Sequence, residues 1–232
     1  MNFLKTKTKK LKSINDLVDI KITSNLEIDR KMVKILVIDD EGFLQKESLN
    51  KLGYKDIDVK FESGNMEDYK AYDIIFCDIN GVANDIDPYF QGAALAKKIK
   101  EIYPDKFVVI FSALDQSLDF YPYYSSVDDT IIKNLTGNKL SDKIDEYIET
   151  INNPKYKWES IKKLLESNGI STYDISVFED YYVSSILDKK DYTSKVEKYC
   201  KDSMITNHKI IEKILPYVID IMKDVVICYV TK

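Results

Sequence analysis

Residues 34–40 constrain the fold of this chain more than any other stretch. Four consecutive aliphatic residues at positions 35–38 are typical of a strand buried on both faces, because helices cover both surfaces of a parallel sheet. Two adjacent carboxylates, Asp39 and Asp40, follow this strand directly. A second apolar stretch, residues 74–77, is likewise followed by Asp78. The sequence therefore predicts two strands that deliver three carboxylates to one edge of a sheet.

Three carboxylates at one edge indicate a bound cation. In an open parallel sheet, ligands bind at the carboxyl ends of the strands, where the strand order reverses. Neighbouring carboxylates repel each other unless a cation lies between them, and oxygen ligands of this kind suit Mg²⁺. The plainer alternative is that acids at strand ends cap the helices that follow.

Strand and helix patterns alternate from residue 33 to residue 153. Parallel strands need crossover connections, so this alternation predicts a doubly wound α/β fold with a parallel sheet. The predicted strands are residues 34–38, 57–61, 74–77, 107–111 and 130–132. The predicted helices lie near residues 43–52, 66–71, 92–103, 116–121 and 140–151.

The flanking segments differ from this pattern. Residues 1–32 form a basic N-terminal extension, in which alternation over residues 17–28 predicts a short strand. Residues 154–232 read as a helical domain, joined through a linker at residues 152–154. Its predicted helices comprise one around residues 158–165 that Gly169 ends, followed by residues 174–187, 192–204 and 209–222, while the β-branched residues 225–230 favour a strand.

Charge and composition exclude several classes of protein. Residues 33–153 carry 13 basic and 23 acidic groups and residues 154–232 carry 13 and 12, so neither block supplies the clustered basic surface that nucleic-acid binding needs. The three cysteines lack the spacing of a disulfide framework or a zinc site. Charges interrupt the most apolar segment, residues 210–230, and no secretory signal is present, so we expect a cytoplasmic protein without a membrane span.

Two further polar residues follow predicted strands. Ser112 comes after residues 107–111, and Lys133 comes after residues 130–132. An acid pair, a single aspartate, a hydroxyl and an ammonium thus follow the first, third, fourth and fifth predicted strands, in that order. This order resembles the receiver domain of two-component response regulators, over roughly residues 33–151. The resemblance implies a flavodoxin-like sheet with strand order 2-1-3-4-5.

The resemblance also implies a role for each of these side chains. Asp78 would be the phosphorylated aspartate, Ser112 the hydroxyl that follows the phosphoryl group, and Lys133 the lysine that contacts it. The implied ligands of Mg²⁺ are Asp39, Asp40, Asp78 and the backbone carbonyl of Asn80.

The expected function is that of a response regulator in a phosphorelay, not of an enzyme. Phosphorylation of Asp78, with Mg²⁺ as cofactor, would signal through the helical domain by protein–protein interaction. The expected partners are a histidine kinase or phosphotransfer protein and a protein target of the helical domain, and a second copy of the chain is a further candidate. A membrane or nucleic-acid partner is not expected.

The sequence departs from the family pattern at three places. The family lysine is usually followed by proline, whereas Asn134 follows Lys133. An aromatic residue often lies three positions before that lysine, whereas this chain has Thr130. The loop over residues 78–92 is longer than usual. We interpret it as an insertion in a surface loop, with shielding of the site or changed access for a kinase as the alternatives.

Two other functions remain open on the sequence alone. Residues 78–82 look like the nucleophile motif of haloacid-dehalogenase phosphatases, but Asn80 stands where those enzymes have a general acid, and their metal-binding acids follow the lysine. The second is a receiver-like scaffold that is never phosphorylated. The single histidine, His208, lacks the neighbours of a phosphotransfer histidine and is expected at an ordinary surface position. The aromatic stretch 120–124 is either an interface or buried against the C-terminal helices.

Overall fold

The computed structural model of the chain describes residues 10–17, 26–61, 65–113, 118–202 and 208–230. Its contacts divide the chain into an α/β unit, Ile22–Tyr156, and a helical unit that comprises Lys157–Lys232 together with Met1–Lys21. These contacts show which residues pack together, and they do not define which segments fold independently. The predicted domains, residues 1–32, 33–153 and 154–232, therefore stay a prediction.

Five parallel strands form the sheet of the α/β unit. They are β1 (Lys34–Ile38), β2 (Asp56–Lys60), β3 (Ile74–Cys77), β4 (Phe107–Ser112) and β5 (Asp129–Ile132). Their order is β2-β1-β3-β4-β5, and every neighbouring pair is parallel. The predicted α/β fold and strand order are confirmed.

Helices connect and flank these strands. The α-helices are α1 (Leu26–Met32), α2 (Lys46–Lys51), α3 (Gln91–Ile102), α4 (Tyr121–Tyr124) and α5 (Gly137–Ile151), and 3-10 helices cover Ile14–Leu17, Met66–Ala71 and Leu118–Phe120. The strand predicted at residues 17–28 is wrong at both of its ends, because Leu17 ends a 3-10 helix and residues 26–28 begin α1. The middle of that prediction, residues 18–25, lies outside the described residues.

The three central strands, β1, β3 and β4, are buried on both faces, as their unbroken apolar sequences predict. Ile35 and Val37 face the cluster that includes α2 and α5, while Leu36 and Ile38 are buried on the opposite side. Helix α3 packs on β3 and β4. Because full burial of one such side chain contributes roughly 1.5–3 kcal/mol, this core fixes the strands and hence the positions of the residues that follow them.

Four long helices lie wholly or mostly in the described part of the helical unit. They are α6 (Pro154–Ser167), α7 (Thr172–Leu187), α8 (Thr193–Asp202) and α9 (His208–Val230). The strand predicted at residues 225–230 is wrong, because α9 continues through them. Tertiary packing outweighs β-propensity here, since the buried face of α9 recurs at helical spacing in Val218, Ile221, Met222 and Val225. No helix in the described part of the chain is long and apolar enough to span a membrane.

Residues 10–17 pack against α7 of the helical unit. The backbone N–H of Lys12 donates to Asp180 Oδ1 at 3.0 Å, and that of Ile14 donates to Glu179 Oε1 at 2.8 Å. Asp180 is almost fully buried, so this N–H offsets part of the desolvation of its carboxylate. Part of the predicted N-terminal extension is therefore built into the helical unit, which the sequence did not indicate.

Replacing Leu17 with alanine is expected to destabilise the helical unit. Leu17 is 4% exposed and belongs to the same core as Trp158. The substitution should lower the free energy of unfolding by about 2–3 kcal/mol, because it leaves a cavity. Urea unfolding followed by fluorescence reports on this core, since Trp158 is the only tryptophan. Leu44→Ala is the control, because Leu44 is 95% exposed. An equal effect of the two substitutions would contradict the packing of Leu17.

Candidate functional site

The acid cluster forms where β1 and β3 end side by side. Ile38 pairs with Cys77 in the parallel ladder, and the N–H of Asp78 donates to the carbonyl of Ile38 at 2.9 Å. Asp39 and Asp78 therefore follow neighbouring strands at equivalent positions of the ladder. One carboxylate oxygen each from Asp39, Asp40 and Asp78 lies within 4.8 Å of the others. The structure thus brings the three predicted acids together.

Lys133 reaches this cluster from the end of β5. Its ammonium nitrogen lies 2.6 Å from Asp78 Oδ2 and 2.7 Å from Asp39 Oδ2, so one cation bridges two carboxylates. The backbone N–H of Lys133 donates to the carbonyl of Ser112 at 3.1 Å. Ser112 is the last residue of β4 and is buried. Asp39, Asp40, Asp78 and Lys133 therefore lie together at one edge of the sheet. The backbone of Lys133 lies beside Ser112, at the end of β4.

Burial and Lys133 shift the pKa of the Asp78 carboxyl in opposite directions. Burial raises the pKa of the Asp78 carboxyl above its ordinary value, while the hydrogen bond and charge of Lys133 lower this pKa and do not fully cancel the effect of burial. Burial alone would lower the pKa of Lys133, but the hydrogen bonds and charges of Asp39 and Asp78 outweigh it and raise the pKa. The ammonium therefore stays protonated at neutral pH. A further cation beside Asp78 would favour the ionised carboxylate.

The loop after β3 closes against the acid cluster. Gly81 has φ +76°, and a Cβ at this position would lie 2.1 Å from Asp40 Oδ2, so the loop backbone contacts that carboxylate directly. The N–H of Gly81 donates to Gln91 Oε1 at 3.0 Å, which fastens the loop to the start of α3. Val82 and Ala83 are buried. This part of the long loop is thus packed structure beside the site, whereas the sequence analysis interpreted the loop as a surface insertion.

Gly92 lets α3 approach the end of β3. A Cβ on Gly92 would lie 1.7 Å from the carbonyl oxygen of Asp78. The N–H of Gly92 donates to the carbonyl of Ile79 at 2.9 Å, and its own carbonyl accepts from Cys77 Sγ at 3.2 Å. The backbone that carries Asp78 is therefore held directly by the first turn of α3.

The donor set fits a divalent cation. Three carboxylates face one ammonium, and Lys133 contacts Asp39 and Asp78 but not Asp40. Asp40 is exposed, and its carboxylate has no hydrogen-bond or ion-pair partner within the described ranges. Oxygen-only ligands with excess negative charge suit Mg²⁺. Asp39, Asp40 and Asp78 would hold it. Asn80 is exposed in the loop beside them, and the role of its carbonyl stays a prediction.

Removing the lysine is expected to strengthen binding of the metal. The Lys133 ammonium competes with a cation for Asp39 and Asp78, so Lys133→Met should bind Mg²⁺ roughly tenfold more tightly, a difference of about 1.4 kcal/mol. Isothermal titration calorimetry measures this affinity. Lys143→Met is the matched control, because Lys143 pairs with Asp129 and Glu146 instead. Unchanged or weaker binding in the Lys133 variant would show that the lysine does not share the metal's ligands.

Two other features were singled out in the sequence, the aromatic stretch at residues 120–124 and His208. The aromatic stretch packs with the end of the long loop, since Phe90 lies 5.3 Å from Phe120 and 4.4 Å from Tyr123 between ring centroids. Tyr121 is exposed. His208 begins α9, and its side chain lies outside the described part.

Comparisons with known proteins find a likeness in solved structures alone. No protein-family model matches the sequence, and no curated protein matches it. A CheY-like receiver domain from Methanospirillum hungatei is 19% identical with a TM-score of 0.41, over 51% of this chain and 95% of that one. The response regulator DrrB of Thermotoga maritima is 22% identical with a TM-score of 0.39, over 51% of this chain and 53% of that one. NtrX from Brucella abortus is 21% identical with a TM-score of 0.42, over 65% of this chain and 35% of that one. The likeness covers about half of the chain and assigns no role to a residue.

Proposed function

We propose that this chain is a response regulator of a phosphorelay, in which Asp78 accepts a phosphoryl group and the helical unit passes the signal on by protein–protein interaction. One observation supports this above all. The ammonium of Lys133 lies 2.6 Å from Asp78 and 2.7 Å from Asp39, inside a cluster of three carboxylates. A buried aspartate beside both a fixed cation and metal-ligating acids has the surroundings that phosphoryl transfer to a carboxylate needs.

The proposed reaction begins with Asp78 as the nucleophile. A carboxylate oxygen of Asp78 forms a bond to the phosphorus of a phosphohistidine while the phosphorus–nitrogen bond breaks, and the leaving imidazole takes up a proton from solvent. Both reactants are anionic, so they repel each other as they approach. Lys133 offsets part of this repulsion, because its ammonium already lies where negative charge accumulates. The proposed donor is therefore a histidine kinase or a phosphotransfer protein.

Mg²⁺ held by Asp39, Asp40 and Asp78 would supply further positive charge to the phosphoryl oxygens. The protein's part is to hold the three carboxylates together on two adjacent strands. Gly81 lies against Asp40 and limits where that carboxylate can move. Metal dependence of phosphorylation follows from this proposal.

Ser112 is the proposed link between the acid cluster and the signal. It ends β4 as a buried residue, and its hydroxyl can donate a hydrogen bond to an added phosphoryl oxygen. The new charge on Asp78 would favour one of two arrangements of the residues after β4, and this shift would change the contacts of a partner. A protein target is proposed for residues 154–232 because their charges are nearly balanced, with 13 basic and 12 acidic groups.

Beryllofluoride with Mg²⁺ tests the proposal, because it mimics a phosphoryl group on aspartate. We expect the 232-residue chain to bind it only when Mg²⁺ is present and expect Asp78→Ala to bind none. Binding of Mg²⁺ without any binding of beryllofluoride would favour the scaffold instead. Turnover of phosphate esters would favour the phosphatase.

A further inference from the structure

A glutamine from a distant part of the sequence, Gln45, donates hydrogen bonds to the turn that begins at Lys133. Gln45 lies directly before α2, and its side-chain amide nitrogen donates to the carbonyl of Lys133 at 2.8 Å and to the carbonyl of Leu135 at 3.3 Å. One amide therefore bridges the two carbonyls on either side of Asn134. Asn134 lies between these two carbonyls, and asparagine lacks the ring by which a proline would restrict the backbone of this turn.

A second contact joins the same turn to α2. A Cβ on Gly137, the first residue of α5, would lie 2.6 Å from Cβ of Ser48. The start of α5 thus lies almost against α2, one turn beyond Gln45. Leu135, between these two contacts, is partly buried against the core of the α/β unit. The segment from Lys133 to Gly137 therefore contacts Gln45 at its start and Ser48 of α2 at its end.

We infer that Gln45 is a positioning residue for Lys133, an inference that rests on the proposed function and adds to it. The backbone of Lys133 is held on both sides, because its N–H donates to Ser112 and its carbonyl accepts from Gln45. Its side chain has to bring one ammonium within hydrogen-bond distance of Asp78 and Asp39 together. A shift of the backbone moves the origin of this flexible side chain, so that fewer of its conformations make both contacts at once. Gln45 thus acts on the phosphoryl site through Lys133 and touches no reacting atom.

If Gln45 has this role, its loss should affect binding of Mg²⁺ and binding of a phosphoryl group differently. Binding of Mg²⁺ depends on the three carboxylates, which Gln45 does not contact. Binding of a phosphoryl group depends also on the ammonium of Lys133. Loss of the Gln45 amide should therefore weaken binding of a phosphoryl group without weakening binding of Mg²⁺, whereas a general loosening of the unit would weaken both.

The test compares Gln45→Met with the parent in the 232-residue chain. Methionine has a similar size but cannot donate to a carbonyl, so the affinity for beryllofluoride at saturating Mg²⁺ should fall roughly three- to tenfold. The affinity for Mg²⁺ alone should not fall, because any displacement of the Lys133 ammonium frees Asp39 and Asp78 for the metal. The urea unfolding midpoint should fall only slightly, since two hydrogen bonds are lost. Gln45→Glu is a second variant and should lose more, because its carboxylate would repel the two carbonyl oxygens. Glu47→Met, at an exposed position of α2, is the matched control.

A double-mutant cycle with Lys133→Ala tests whether Gln45 affects beryllofluoride binding through Lys133 or independently of it. If Gln45 acts through Lys133, then Gln45→Met causes no further loss of beryllofluoride affinity once Lys133 is alanine. Additive losses, or equal binding by Gln45→Met and the parent, would overturn the inference while the proposed function stands. A parent chain that binds Mg²⁺ but no beryllofluoride would overturn the proposed function, and the inference with it.

Discussion

An Asp78→Asn chain is expected to take up no phosphoryl group from acetyl phosphate in the presence of Mg²⁺. The amide has nearly the same shape as the carboxylate, but it is neutral and is not a nucleophile towards phosphorus. The parent should form an adduct that hydroxylamine removes, as expected of an acyl phosphate. Intact-mass spectrometry measures both results. We expect uptake to fall to background in the variant, because the structure places Asp78 beside the bridging lysine.

The matched control makes the same change in the loop after β3. Asp85 is exposed there, and no hydrogen bond to its carboxylate occurs among the described residues, so Asp85→Asn should accept the phosphoryl group as the parent does. Full uptake by the Asp78 variant would place the acceptor elsewhere. Equal loss in both variants would point to damage of the loop and not to loss of the nucleophile.

Gly92→Ala is expected to have the largest effect on stability. The new Cβ would lie 1.7 Å from the carbonyl oxygen of Asp78 and 2.7 Å from a methyl carbon of Val82. The first of these atoms is backbone at the end of the central strand, so it cannot turn aside as a side chain would. Helix α3 would have to move away from β3. We expect a loss of about 4 kcal/mol, above the usual range for overpacking, together with loss of phosphoryl uptake.

Lys98→Ala is the control for this substitution, because it changes an exposed residue of the same helix to alanine. Urea unfolding followed by circular dichroism should show little change for Lys98→Ala and a large fall for Gly92→Ala. Equal stability of the two variants would mean that α3 does not lie so close to Asp78.

Much of the α/β unit could be predicted because its signals are local in the sequence. An uninterrupted apolar run at positions 35–38 indicates a strand that is covered on both faces, and the structure buries these residues completely or nearly so. The parallel topology then places the residues after each strand at one edge. Lys133 could be assigned to the same place as Asp78, although 55 positions separate them, since each directly follows a strand.

Other features could not be predicted because they depend on contacts between distant segments. The β-branched residues at positions 225–230 favour a strand on propensity alone, yet they continue α9. Nothing local indicates that the backbone of Lys12 donates to Asp180, 168 positions away. Gln45 is an ordinary polar residue in the sequence, and its importance arises from two carbonyls that the fold brings to it.

The long loop after Asp78 could be interpreted only in part. Its length is visible in the sequence, and insertions usually lie in surface loops. The structure buries Val82 and Ala83 and sets Gly81 against Asp40. A glycine and two small apolar residues were the available signal for close packing, but such residues are common in surface loops as well.

The central claim is that Asp78 is the residue that carries the phosphoryl group, and chemical identification of the modified side chain tests it most directly. The chain is treated with acetyl phosphate and Mg²⁺, the acyl phosphate is reduced with borohydride, and the peptides are sequenced by mass spectrometry. The account predicts homoserine at position 78 and no reduction when a chelator removes the metal. Reduction at Asp39 or Asp40 instead, or none at any aspartate in a chain that binds Mg²⁺, would contradict it.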